Sequence, residues 1–103
     1  LIKINEKNYS AFKLARKAMD LGGSMPAVMN AANGVAVESF LNRKLRFNDI
    51  LKVVEQTMNE HKIVRKIDLK KIIKINEIAK KSAYTIVNKW FFNDKSDIFY
   101  FNN

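Results

Sequence analysis

The sequence contains no cysteine, one proline and three glycines among its 103 residues. Without cysteine, disulfide bonds and thiolate metal sites are excluded, and nothing in the composition indicates secretion. A single proline and three glycines leave little material for a fold that is rich in loops or sheets. No stretch approaches the roughly 18 uninterrupted apolar residues that a membrane span needs, and no signal peptide is visible, so we expect no membrane partner.

The length of the chain limits the number of domains. With 103 residues it can form one domain with a single core, and it is too short for a nucleotide-binding domain together with a substrate domain. The chain begins with Leu1 instead of methionine. We therefore expect it to be a fragment of a longer protein.

Apolar residues recur at three-residue and four-residue spacing in four segments, which predicts four helices joined by short connections. The first predicted helix runs from near Ser10 to Leu21, with Ser10 or Asn8 as its cap, and it ends at Gly22 and Gly23. Its expected apolar face consists of Phe12, Ala15, Ala18 and Met19.

The second predicted helix is the most apolar of the four, and Ser24 is expected to cap it. Pro26 is compatible with its first turn, where the missing N–H would have no partner in any case. The main apolar stripe consists of Met25, Val28, Met29, Ala32, Ala36 and Phe40. The opposite face consists of Asn30, Gly34, Val37 and Leu41.

The third and fourth predicted helices follow the same pattern. The third begins at residues 47–49, where Asn48 is expected to cap it, and Asp68 is expected to cap the fourth. The apolar face of the third consists of Ile50, Leu51, Val54 and Met58. The stripe of the fourth consists of Leu69, Ile72, Ile73, Asn76, Ala79, Ala83, Ile86, Val87 and Trp90. An antiparallel four-helix bundle, and therefore an all-α fold, is the simplest arrangement of these helices.

The two ends of the chain are predicted to lie outside the bundle. The bundle spans residues 10–92, residues 1–9 form a linker or N-terminal extension, and residues 93–103 form a short aromatic C-terminal tail. Within the tail, residues 97–101 are expected to form a strand or a segment folded back on the bundle. Such a tail either covers an open edge of the core or docks onto another subunit or domain.

Residue groups that support catalysis are missing from the sequence. His61 is the single histidine and shares no motif with a nucleophile. It is expected to lie exposed at the end of the third helix, where its positive form suits the helix dipole. The acidic residues form no pair with a histidine at metal-ligand spacing, and Gly22 and Gly23 end a helix instead of opening a phosphate-binding loop. We therefore assign no catalytic, cofactor-binding or metal-binding residue.

The strongly positive charge allows a second interpretation. Of 19 basic residues, eight lie within residues 61–81, which contain two acidic ones. A free-standing basic helical module could use such a cluster to bind nucleic acid or another acidic partner. However, Lys70, Lys74, Glu77 and Lys81 recur opposite the apolar stripe, which is typical of a solvated helix face. Lysine also outnumbers arginine 15 to 4, so we expect no nucleic-acid partner.

The second predicted helix resembles a known family signature. Residues 24–41 are similar to a helix in the C-terminal domain of 1-deoxy-D-xylulose 5-phosphate reductoisomerases, which typically reads Pro-x-Val-Leu-Asn-Ala-Ala-Asn-Glu-Val-Ala-Val-x-x-Phe-Leu. The matching residues are Pro26, Val28, Asn30 to Asn33, Val35 to Val37, Phe40 and Leu41. Supporting matches are Phe12, Leu14, Ala15, Ala18, Gly22 and Gly23 upstream, and Phe47, Asp49, Ile50 and Val54 downstream. The resemblance covers roughly residues 10–90.

This resemblance implies a function that the chain alone would not perform. The family converts 1-deoxy-D-xylulose 5-phosphate to 2-C-methyl-D-erythritol 4-phosphate, in the non-mevalonate pathway of isoprenoid biosynthesis. Its NADPH and divalent metal, Mg or Mn, are held by the N-terminal and central domains. The chain is therefore expected to be an inactive C-terminal structural domain that packs against the catalytic domain. The full-length enzyme is expected to be a homodimer in the cytoplasm, or in a plastid in a eukaryote.

The resemblance also assigns a role to two residues. Asn30 and Asn33 match amides of the signature helix, and their expected role is structural: buried or half-buried amides that satisfy backbone groups of a neighbouring loop. Gly34 stands where the family usually has glutamate. The face that carries Gly34 is expected to pack on the catalytic domain in the full enzyme and to lie open in the isolated chain.

Overall fold

A computed structural model describes the backbone of residues 6–101 and the side chains of residues 10–91. The elements are α1 (Glu6–Leu21), α2 (Met25–Leu41), a 3₁₀ turn (Phe47–Asp49), α3 (Ile50–Glu60) and α4 (Leu69–Phe101). No strand occurs within this described backbone. The predicted all-α fold with four helices is therefore confirmed.

Helix α2 is the centre of the bundle, because α1, α3 and α4 all pack against it. Its buried side chains are Met25, Val28, Ala31, Ala32, Val35, Ala36 and Ser39. The three alanines are at most 4% exposed, and they meet further buried alanines, Ala18 of α1 and Ala79 and Ala83 of α4, within one core. Small side chains at helix contacts allow the helix axes to approach closely.

The rest of the core comes from every other helix and from the connection after α2. These residues are Leu14, Ala18, Leu45, Ile50, Val53, Val54, Met58, Ile75, Ala79, Ala83, Ile86 and Val87. They form one cluster, as expected for a domain of this length. Thr57 is buried among them, and its hydroxyl is satisfied because it donates to the carbonyl oxygen of Val53 over 2.8 Å.

The predicted apolar face of α1 is partly wrong. Phe12 and Met19 are 60% and 70% exposed, whereas Leu14 and Ala18 are buried. The contacts of α1 are with α2 and, to a smaller extent, α3. A helix on the outside of the bundle buries only a narrow stripe, so its remaining apolar side chains stay in solvent.

The predicted stripe of α4 is wrong in the first turn and right further along. Leu69 and Ile73 are exposed, and the first core residue is Ile75, which was not predicted. Ile72 shares a helix side with Ala79, two turns later, yet it is 41% exposed. The first turn of α4 therefore reaches beyond the end of the core. The confirmed part of the stripe consists of Ala79, Ala83, Ile86 and Val87.

At the C-terminal end of α2, Phe40 lies at the edge of the core and not in its main stripe. The side chain is 36% exposed. Its ring meets the ring of Phe47 edge to face, with 5.5 Å between the ring centroids. Such a pair contributes about 0.5–1.5 kcal/mol beyond burial and links α2 to the 3₁₀ turn.

The predicted helix cap is confirmed at α4, is confirmed at α2 in its position only, and is wrong at α3. The N–H of Lys71 donates to Asp68 Oδ1 over 2.8 Å at the start of α4. Ser24 stands before α2, but its side chain makes no cap hydrogen bond. Asn48 does not cap α3, because residues 47–49 form the 3₁₀ turn and Asp49 occupies the cap position.

The ends of the chain also differ from the prediction. Helix α1 begins at Glu6, earlier than the predicted start near Ser10, so part of the predicted linker is helical. Helix α4 continues to Phe101, so residues 97–101 form neither a strand nor a segment folded back. The side chains of residues 92–101 lie outside the described part, and what the aromatic tail contacts stays a prediction.

Ser24 joins the turn between α1 and α2 to the segment between α3 and α4. Its backbone N–H donates to the carbonyl oxygen of Val64 over 3.0 Å. The N–H of Val64 in turn donates to Ser24 Oγ over 2.8 Å. We call Ser24, His61 and Val64 the Ser24 junction. The buried hydroxyl of Ser24 therefore holds a distant segment instead of capping its own helix.

The turn before Ser24 requires glycine. Gly22 and Gly23 have φ values of 67° and 55°, in the left-handed region that residues with a Cβ avoid. A Cβ at Gly23 would also lie 2.6 Å from the carbonyl oxygen of Val64. The close approach of the two segments therefore depends on this glycine.

His61 completes the junction, with Nε2 2.6 Å from Ser24 Oγ. Because Ser24 Oγ accepts the N–H of Val64, its own hydrogen is available to the Nε2 of a neutral imidazole. Burial lowers the pKa of His61 below its ordinary value, since it disfavours the charged ring. The prediction of an exposed histidine that complements the helix dipole is therefore wrong.

The two kinds of glycine give opposite predictions for stability. No atom lies within 4 Å of the position that a Cβ would take at Gly34. Gly34→Ala should therefore raise the free energy of unfolding by about 1 kcal/mol, and the melting temperature by about 4 to 8 °C. Gly34→Glu should be tolerated. Gly23→Ala is the matched control and should lower the melting temperature. Thermal unfolding followed by circular dichroism measures all three, and a decrease for both Gly34 variants would contradict an open site.

The junction also predicts a pH dependence of stability. The pKa of His61 is lower in the folded than in the unfolded chain. At pH values between these two pKa values, the unfolded chain therefore binds more protons than the folded chain. The stabilisation is therefore present above the unfolded pKa of about 6.5 and is lost as the pH falls through the folded value. The melting temperature of the wild type should fall more between about pH 7.5 and pH 5.5 than that of His61→Gln, which keeps a polar side chain without titrating. Equal decreases in the melting temperatures of the wild type and His61→Gln would contradict a neutral His61 in the folded chain.

Candidate functional site

One side of α2 is open to solvent in the described structure. We call its exposed residues, Asn30, Asn33, Gly34, Val37 and Leu41, the outer face of α2. Leu41 is 71% exposed and Val37 38%. The face lies opposite the buried stripe, so the predicted second face of this helix is confirmed to be open in the isolated chain.

The outer face carries no charge, and the single charged residue of α2 lies beside it. That residue is Glu38, and the hydroxyl of Tyr84 in α4 donates to its Oε2 over 3.0 Å. The hydrogen bond to Glu38 raises the pKa of Tyr84 above its ordinary value, with smaller contributions from desolvation and from repulsion by the carboxylate. The phenol therefore stays neutral and links α4 to α2 along the edge of the outer face.

The two asparagines of the signature helix, Asn30 and Asn33, are both exposed in this chain. Each amide can donate and accept hydrogen bonds. Their contact with backbone groups of a neighbouring element stays a prediction.

The basic side of α4 is exposed as predicted. Lys70, Lys74, Glu77 and Lys81 all lie in solvent, where exposed charges are largely screened by salt. None of the described helices combines the length and the apolar character needed to cross a bilayer.

Ser24 and His61 resemble a nucleophile and its base, because their side chains lie 2.6 Å apart. Ser24 is 0% exposed, however, so a substrate has no access to its hydroxyl. The oxygen is also held by the N–H of Val64. The pair therefore links the turn before α2 to the segment after α3. Sequence reasoning missed it, because the two residues belong to separate connections and share no local motif.

Two hollows on the described surface were considered as sites, and neither brings together a nucleophile and a base. One, of about 460 Å³, is lined by residues of α1 alone. The other, of about 290 Å³, lies between the end of α3 and α4 and includes His61 and Ser82. Its lining residues are half aliphatic and half polar or charged, and Ser82 Oγ donates to Glu60 Oε2 over 3.4 Å. No group of three side chains able to hold a metal ion occurs in the described part of the chain.

Comparison with known sequences gives consistent matches. The family model of the DXP reductoisomerase C-terminal domain matches residues 1–82. The 1-deoxy-D-xylulose 5-phosphate reductoisomerase of Thermodesulfovibrio yellowstonii is 43% identical over 75 residues, which are 73% of this chain and 20% of that protein. The enzyme of the same name from Bacillus cereus is 38% identical over 79 residues, 77% of this chain and 21% of that protein.

Comparison with solved structures agrees with the sequence matches. The 1-deoxy-D-xylulose 5-phosphate reductoisomerase of Zymomonas mobilis, solved in complex with NADPH, superimposes with a TM-score of 0.75 at 35% identity. The match covers 81% of this chain and 22% of that chain. The present chain thus spans about a fifth of the length of these relatives.

The family model matches most of the chain, the match includes the alanine-rich helix α2, and a solved relative shares the fold over 81% of the chain. This chain belongs to the DXP reductoisomerase family, whose C-terminal domain it matches over residues 1–82.

Proposed function

We propose that the chain is the C-terminal structural domain of an enzyme that converts 1-deoxy-D-xylulose 5-phosphate to 2-C-methyl-D-erythritol 4-phosphate in isoprenoid biosynthesis. The proposal is supported best by how much of each sequence is aligned: most of this chain aligns with only about a fifth of each relative. The NADPH complex of the Zymomonas mobilis relative supports NADPH as the reductant of the whole enzyme.

In this proposal the chemistry belongs to the parts of the enzyme outside this chain. NADPH and the divalent metal, Mg or Mn, bind there, and we assign no catalytic, cofactor-binding or metal-binding residue to residues 1–103. The helical domain would act by keeping the catalytic domain in its active arrangement, since a small displacement of catalytic groups lowers the rate strongly. The full-length enzyme would be a homodimer in the cytoplasm or, in a eukaryote, in a plastid; the relatives named above are bacterial.

The proposal predicts that the purified chain is inactive alone. It should neither bind NADPH, measured by cofactor fluorescence, nor oxidise it in the presence of substrate and Mg or Mn. The full-length relative from Thermodesulfovibrio yellowstonii serves as the positive control under the same conditions. Metal-dependent oxidation of NADPH by the 103-residue chain alone would contradict the assignment to a structural domain.

The alternative of a basic module that binds nucleic acid leads to a separate prediction. A surface that contacts phosphates loses affinity steeply as salt increases, whereas a solvated lysine face has little specific affinity to lose. We expect only weak, non-specific binding of DNA or RNA at about 150 mM salt. A submicromolar complex that Lys70→Glu with Lys74→Glu abolishes, measured by fluorescence anisotropy, would favour the alternative. Lys13→Glu with Lys17→Glu, on α1, is the control of equal charge change.

A further inference from the structure

We propose that the outer face of α2 is the surface on which the preceding catalytic part of the same polypeptide packs. We infer further that the segment covering it presents backbone groups beside Gly34 and apolar side chains over Val37 and Leu41. This inference rests on the proposed function and adds to it which face of the domain is used and what kind of surface meets it.

The distribution of charge distinguishes the outer face from the other exposed surfaces. Over its 17 residues α2 has one charged side chain, Glu38, and that carboxylate is engaged by Tyr84. Exposed apolar residues also occur on α1 and α4, but there they alternate with charged ones. On α1 these charged residues are Lys13, Arg16, Lys17 and Asp20, and on α4 they are Lys70, Lys71 and Lys74. Lysine is depleted in protein interfaces, so the outer face of α2 is the best interface candidate among the described surfaces.

The apolar end of the face is large enough to anchor a contact. Val37 and Leu41 are four residues apart and therefore stack on one side of the helix. Leu41 is among the most exposed large apolar side chains of the described structure, at 71%. From Asn30 to Leu41 the face extends about 16 Å, at about 1.5 Å per residue, which matches the length of a short helix or loop lying along it.

The other end of the face can accommodate the backbone of a neighbouring segment. Gly34 leaves the helix surface bare, with no atom within 4 Å of a would-be Cβ, so a neighbouring chain can approach its peptide groups closely. Asn30 and Asn33 lie one turn before Gly34 and beside it, and both are exposed. Their amides can donate to carbonyl oxygens and accept from N–H groups of a loop, which must be satisfied when a loop is buried.

The length of the relatives and the net charge of the chain indicate what covers the outer face of α2. About four-fifths of each relative lies outside the region that this chain matches, so a partner of sufficient size is available in the same polypeptide. A second copy of this chain is a poorer candidate. Each copy carries a net charge of +9, and like charges oppose the approach of two copies.

The test compares the isolated chain with the full-length protein that its gene encodes. Hydroxyl-radical footprinting reports the exposure of each side chain in both. Val37 and Leu41 should be oxidised about fivefold more slowly in the full-length protein, as expected for side chains in the buried part of an interface. Leu69 and Ile73, which are exposed apolar residues of α4, serve as internal controls and should change by less than about twofold.

Matched variants give a second readout in the full-length protein. Val37→Glu with Leu41→Glu should lower kcat/KM about tenfold or more, because two unpaired charges would be buried at the contact. It should also split thermal unfolding into two transitions. Leu69→Glu with Ile73→Glu makes the same change on α4 and should alter neither kcat/KM nor the number of unfolding transitions. Far-UV circular dichroism of the isolated variant chains confirms that each pair of substitutions leaves the helices intact.

The outcomes separate this proposal from the proposed function. If the gene encodes no catalytic part, or the full-length protein is not a reductoisomerase, the proposed function fails and the docking proposal with it. If the full-length enzyme is active but Val37 and Leu41 remain as reactive as in the isolated chain, only the docking surface is wrong. Protection of the same two residues in the isolated chain as its concentration rises, together with a dimer in sedimentation, would identify a second copy as the occupant and overturn the proposal.

Discussion

The fold depends on the burial of α2, a helix whose inner side consists of alanine, valine, methionine and serine. The alanines at positions 31, 32 and 36 are almost completely buried and face a core that includes Ala79 and Ala83 of α4. Because these side chains are short, the helices can lie close together, and a bulkier residue here would separate them. The other three helices are arranged around this one surface, and the fourth side of α2 remains open.

Hydrogen bonds at the Ser24 junction hold together two connections between helices. Two connections that are far apart in the chain, the turn at residues 22–24 and the segment at residues 61–68, meet through the buried hydroxyl of Ser24. Each polar group there has a partner, as buried polar groups require. Gly23 allows the two segments to approach each other, and a neutral His61 fills the remaining hydrogen-bonding position of the Ser24 hydroxyl.

The charges of the domain are distributed unevenly over its helices. Lysines cover α4 and the outer side of α1, where they are exposed, whereas the outer face of α2 has none. Membership of the DXP reductoisomerase family gives this asymmetry a context, because the relatives are about five times longer than the region matched here. The uncharged outer face of α2 is the surface on which we propose that the rest of the enzyme packs.

The sequence by itself determined the helical class, the number of helices and the identity of the signature helix. These follow from local information: apolar spacing near 3.6 residues, few helix breakers, and a specific run of residues in α2. It also identified the outer face of α2 and the cap at Asp68, since both depend on neighbours within one helix. Tertiary structure alone decided that Ile72 lies beyond the core, that Phe12 is exposed, and that the Ser24 hydroxyl bonds His61 instead of capping its own helix. Those outcomes depend on where one helix ends relative to another and on groups far apart in the chain, which no local pattern specifies.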